Sequence, residues 1–185
     1  MASGSAQIDA LLSELRETTR RAETLFAGKS TEQLSASPGG KGWSATQCLA
    51  HLNLTNRAYL PLIDASLKEL KGQNLRGDGP FKMSWNARLL NWWLEPPSRL
   101  RAPTAPFAVP GDQLISSQVL AEFGQVNEQI ARQLDVSRGI ALDRVKMASP
   151  FAKNMQYNVY SAFVLIPTHN RRHLWQASRA LALAP

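Results

Sequence analysis

Apolar residues recur at three- and four-residue intervals over four long stretches of the chain. From Ile8 to Phe26, the side chains of Ile8, Leu11, Leu12, Leu15, Ala22, Leu25 and Phe26 fall on one stripe and leave Arg16, Arg20 and Glu23 for water. That is the pattern of an amphipathic helix, and Gly28 supplies its stop signal. The run Ser35-Ala-Ser-Pro-Gly-Gly-Lys-Gly42 predicts a turn-rich linker. Ser44-Ala-Thr-Gln47 then reads as a capping box opening a second helix, with Trp43 as the staple that packs onto Cys48 or Leu49. Its stripe runs through Leu49, Leu52, Ala58, Tyr59, Leu62, Ile63 and Leu67 toward Leu70, and Pro61 predicts a kink.

Residues 72–111 break the pattern with glycines at 72, 77 and 79 and prolines at 80, 96, 97, 103, 106 and 110. They predict a long proline-rich crossover with one short helix around 84–94. Trp85, Trp92 and Trp93 lie here, so part of the crossover is expected to pack as core, with one ring available to wall a pocket if the crossover overhangs the helices. A third helix is expected from Asp112 or Gln113 to Leu134, with Ile115, Val119, Phe123, Val126, Ile130 and Leu134 on one side. After a loop from Ser137 to Lys153, a fourth runs from about Tyr157 to Leu183, interrupted by Pro167. No segment alternates with period two long enough to demand a sheet. Four amphipathic helices with two extended connections predict an all-α four-helix bundle with the long crossover between helices two and three.

At 185 residues the chain fits one domain, 1–185, with a real hydrophobic core. Its single cysteine cannot form an intramolecular disulfide, which points to a reducing compartment. The longest apolar run, Ala162–Ile166, is far short of the ~20 residues of a membrane helix. The start Met-Ala-Ser-Gly-Ser lacks the basic flank and apolar block of a signal peptide. A cytoplasmic location without membrane attachment is therefore expected. The net charge of +7 comes from 21 dispersed Lys and Arg residues, with no run longer than Arg20-Arg21 or Arg171-Arg172. Without a zinc-finger or aromatic RNA-binding motif, this argues against nucleic acid as the partner.

The three histidines change the picture. His169 and His173 are four apart on the fourth helix, so they share one face. His51 lies near the stripe of the second helix. Two imidazoles at that spacing with a third from a facing helix can hold a divalent ion and leave positions open for water or substrate. The alternative is that all three merely pack or face solvent. Gln47 and Gln176 are at helical spacing to hold an imidazole or a substrate group, although Gln47 has its capping-box role as the simpler use. Arg172, with Arg171, could attract a carboxylate or form the solvated side of the helix. Cys48 on an apolar stripe reads as a small buried hydrophobe.

Trp43-Ser-Ala-Thr-Gln-Cys-Leu-Ala-His51-Leu52 and Thr168-His-Asn-Arg-Arg-His173-Leu-Trp-Gln176 together resemble the signatures of the DinB-like (DinB/YfiT-like) family. The resemblance extends to Gly79-Pro80-Phe81, the crossover and Ser149-Pro150-Phe151. It implies a four-helix bundle of up-down-down-up connectivity, and a divalent metal (zinc, nickel or iron) held by His51, His169 and His173. It does not imply one reaction, since the family includes thiol S-transferases using low-molecular-weight thiols, a thiol-dependent isomerase and metal-dependent hydrolases. Asn170 follows His169 where a zinc protease carries its Glu base, which tilts the expectation from hydrolase toward thiol transfer on a small-molecule substrate. A non-catalytic bundle that binds a ligand or protein partner stays open as the alternative. The apolar helix faces make a homodimer conceivable.

Overall fold

The computed structural model describes residues 3–40, 42–97, 104–152 and 154–183, and Pro103 of the crossover falls outside them. The protein is mostly helical. Its elements are α1 (Gly4–Phe26), α2 (Thr31–Ser35), α3 (Ala45–Gly72), α4 (Trp85–Leu94), α5 (Ser116–Asp135), β1 (Lys146–Ala148), β2 (Gln156–Asn158) and α6 (Val159–Ala182). Short 3-10 turns occupy Pro38–Gly40 and Pro106–Ala108. Among the four long helices, α1 and α3 each pack on both α5 and α6.

Local chemistry sets the helix boundaries. Ser3 caps α1 by accepting the Ala6 N–H, and Gly28 beyond its end adopts φ +68°, a conformation glycine takes at little cost. The capping box of α3 is formed as expected, with the Gln47 N–H on Ser44 Oγ (3.2 Å) and the Ser44 N–H on Gln47 Oε1 (3.0 Å). Asn158 caps α6 by accepting the Ser161 N–H at 2.9 Å.

Several expectations need correction. Between the Gly28 stop and the expected linker, where no element was expected, Ser30 and Gln33 build a second capping box that starts α2. The third long helix begins at Ser116 rather than Asp112 or Gln113, and Ile115 before it is exposed. Tyr157 belongs to β2, and Pro167 lies inside a continuous α6, as Pro61 lies inside α3. The β1–β2 pair is an antiparallel ribbon with Met147 opposite Tyr157. At three residues per strand it is too short to leave an alternating signature. Of the crossover tryptophans, Trp93 packs on the core while Trp85 and Trp92 are exposed.

Two apolar clusters make up the core. The larger joins Ile8–Leu15 of α1 with Tyr59–Leu70 of α3, and the smaller joins Ala22 and Phe26 with Ala45–Leu52, Phe123 and Leu174. Between them lies a polar layer contributed by all four long helices. Asn56 Nδ2 donates to Asn127 Oδ1 (3.1 Å) and Asn170 Oδ1 (3.0 Å), and Asn127 Nδ2 donates to Thr19 Oγ1 (3.0 Å). Buried amides of this kind stabilise one alignment of the helices, because any slip would leave them unpaired.

Candidate metal centre

The histidines converge beside that polar layer, with Asn170 between His169 and His173 along α6. Their nearest nitrogens, one from each ring, all lie within 4.8 Å of one another. Ring centroids are 4.3 Å apart for His51 and His173, 4.5 Å for His169 and His173, and 5.2 Å for His51 and His169. His51 and His173 are buried, and His169 is partly exposed.

Each imidazole is oriented by its surroundings. His51 Nδ1 lies 2.7 Å from the Ala108 carbonyl oxygen, which can only accept, so Nδ1 carries the proton. That tautomer leaves Nε2 with the lone pair a cation needs. The acceptor comes from the crossover, which thereby fixes a side chain of α3. His173 Nδ1 is buried without a hydrogen-bond partner among the described residues. Trp43 lies against His51 (4.8 Å between centroids) and His173 (6.0 Å), and Phe151 against His169 (6.4 Å).

Burial is the first cause of the histidines' acidity. It drives His169 down to about 3, with the charges of His51 and Arg172 adding to the effect. His173 is held well below its ordinary value by burial first, then by His169, His51 and Arg172. His51 is lowered by burial, partly offset by its bond to Ala108. Three neutral imidazoles with an orphaned buried nitrogen form a donor set suited to a divalent ion, since coordination needs the deprotonated form.

A cavity of about 990 Å³ opens over the cluster. Tyr59, Leu165, Phe151, Met155, Trp93 and Trp175 contribute to its wall, and no Asp or Glu does so among the described residues. The Tyr59 and Tyr157 hydroxyls are paired at 2.8 Å, and burial pushes both phenols up, so they stay neutral. Gln176 and Arg172 line the cavity, as does Cys48, whose thiol burial pushes up to about 12. Gln47 does not line it, being held by Ser44 and by Asp112 Oδ1 at 3.3 Å. Arg172 is 5% exposed, which removes the solvated-face reading for this residue, while Arg171 binds Glu95 and Glu14. Sequence reasoning missed the Ala108 carbonyl, a backbone group with no residue-type signal, and the contact of Trp43 with the imidazoles. The capping-box staple at Trp43 pointed to its packing but not to its neighbours.

The family model described as DinB superfamily matches residues 14–177, a span that contains all three histidines. No curated protein and no solved structure matches the chain.

Proposed function

The chain belongs to the DinB superfamily, and from that membership and the histidine cluster we propose a metal-dependent enzyme that transfers a thiol to or from a small substrate. His51, His169 and His173 hold one divalent ion, which is zinc, nickel or iron, because imidazole suits all three. The observation that carries this reading is their convergence in a cavity with no Asp or Glu in its described wall. Bound there, the ion would supply Lewis acidity and lower the pKa of a coordinated thiol or water. Hydrolysis asks in addition for a positioned general base, for which a carboxylate is a usual choice. A thiol, already far more acidic than water, has less need of one.

The remaining roles belong to the chain. The Ala108 carbonyl keeps His51 in its tautomer and orientation. Trp43 and Phe151 crowd the imidazoles and keep water from their faces. Tyr59, neutral and paired with Tyr157, offers a hydroxyl in the wall of the cavity. On the same reading, residues 1–185 form one domain, and the four long helices form an up-down-down-up four-helix bundle. The protein works in the cytoplasm. A second reading, a non-catalytic protein that binds a partner, is favoured by the exposed ridge Trp85, Leu89 and Trp92 on α4.

The test is conjugation of a low-molecular-weight thiol with 1-chloro-2,4-dinitrobenzene by zinc- and nickel-loaded protein, beside metal-free protein and His173→Gln. Metal-dependent conjugation that is lost in the variant supports transfer. Turnover unchanged by removal of both metal and histidine contradicts it.

A further inference from the structure

The face of α6 that carries His169 and His173 continues through Arg172, Gln176 and Arg179, and all five residues line the one cavity. Arg172 and Arg179 are the only charged side chains in its described wall. Each guanidinium lies over a tryptophan, Arg172 over Trp93 at 5.0 Å and Arg179 over Trp175 at 5.1 Å. Both tryptophans also line the cavity.

Arg172 is the unusual one. It is 5% exposed, and its Nη1 donates to the Trp93 carbonyl at 3.2 Å, among other contacts. The Trp93 ring lies against the same guanidinium as a cation–π partner. A second cation, Arg179, stands on the same wall, and a divalent ion at the histidines would add two more positive charges. Inside an apolar cavity these charges focus a positive potential on whatever occupies it. The order along α6 is His169, then Arg172 and His173, then Gln176, then Arg179, with 1.5 Å of rise per residue. Arg172 therefore stands between the two histidines along the axis, and Gln176 and Arg179 follow beyond them, so a ligand held at the histidines has Arg172 beside it and Arg179 further along.

We infer that Arg172, backed by Gln176 and Arg179, forms a carboxylate subsite, so that the small-molecule ligand of this cavity is an organic acid with its sulfur at the histidines. Arg172 is a binding residue on this account, and its planar fork matches a carboxylate in a way a lysine ammonium does not. Trp93 braces that fork from the crossover, so selection of the acid depends on a segment outside the long helices. The inference rests on the histidines holding a metal, and its test separates the two.

Zinc-loaded full-length protein is titrated by calorimetry with 3-mercaptopropionate and with its neutral amide, 3-mercaptopropanamide. Zinc stoichiometry is measured on each sample. Wild type is expected to prefer the acid by about 10–100-fold, the range of one charge-assisted bidentate contact. In Arg172→Met that preference falls to a few-fold at one zinc per chain. Arg172→Lys retains charge without the fork and gives an intermediate ratio, and it stands in if the methionine variant does not fold. Equal affinity for acid and amide in wild type, or a ratio unchanged in both Arg172 variants, overturns the subsite. Protein that takes up no zinc fails the metal reading instead. In that case benzoate against benzamide on the same protein decides the subsite, and no preference for benzoate overturns it.

Discussion

The buried histidines make metal-free protein acid-sensitive in a calculable way. His169 is pushed down to about 3 when folded, against an ordinary value near 6.5, chiefly by burial. Protonation therefore favours the unfolded chain throughout that interval. The contribution to stability is complete above pH 6.5 and is lost progressively as pH falls toward 3. At pH 5.5 one such histidine binds a proton in the unfolded chain about ten times out of eleven and almost never in the folded one. The cost is about 1.4 kcal/mol relative to pH 7.5. His51 and His173 are lowered too, so they add to the loss in the same direction. The assay is urea unfolding in EDTA at both pH values, for wild type and for His169→Gln, whose side chain does not titrate. With a slope of about 2 kcal/mol per molar urea, wild type should lose about 0.7 M more of its midpoint than the variant between pH 7.5 and 5.5. Equal losses in the two proteins would refute the claim that His169 is neutral because it is buried.

Two further outcomes follow from packing. Asn170→Ala removes one of the two acceptors of Asn56 Nδ2 and a donor to Asn127 at the centre of the polar layer, and should cost about 2–3 kcal/mol by urea unfolding; a loss under about 0.5 kcal/mol would deny the layer its role. Gly79 has φ +71° and an added Cβ would sit 2.7 Å from the Gly4 Cα, so Gly79→Ala should cost at least about 2 kcal/mol, read as a fall of about 4–8 °C in melting temperature, and an unchanged melting temperature would contradict that close approach.

The long helices were legible because burial imposes a period on residues such as Ile8, Leu11, Leu12 and Leu15, whatever they pack against. His51, His169 and His173 were legible for another reason: they are the chain's whole imidazole content and two of them share a helix face. What periodicity does not encode is depth. Asn56, Asn127 and Asn170 read as polar positions, yet they are buried because they hydrogen-bond one another across three helices. Arg172 hid in the same way, since a charged residue beside Arg171 suggests solvent until Trp93 is seen to cover it. Trp85 and Trp92 failed in the opposite direction, as large apolar residues left exposed. The β1–β2 ribbon arises from long-range pairing of two three-residue segments, which carries no local signature.

The claim on which the account depends is that the three histidines bind one divalent ion. The direct measurement is elemental analysis of protein purified without a histidine tag and dialysed after incubation with zinc near pH 7.5, beside a His169→Gln, His173→Gln double variant. About one zinc per chain in the wild type and none in the folded double variant is the predicted result. No zinc in the wild type, or equal zinc in both, would contradict it and leave the imidazoles as packing residues.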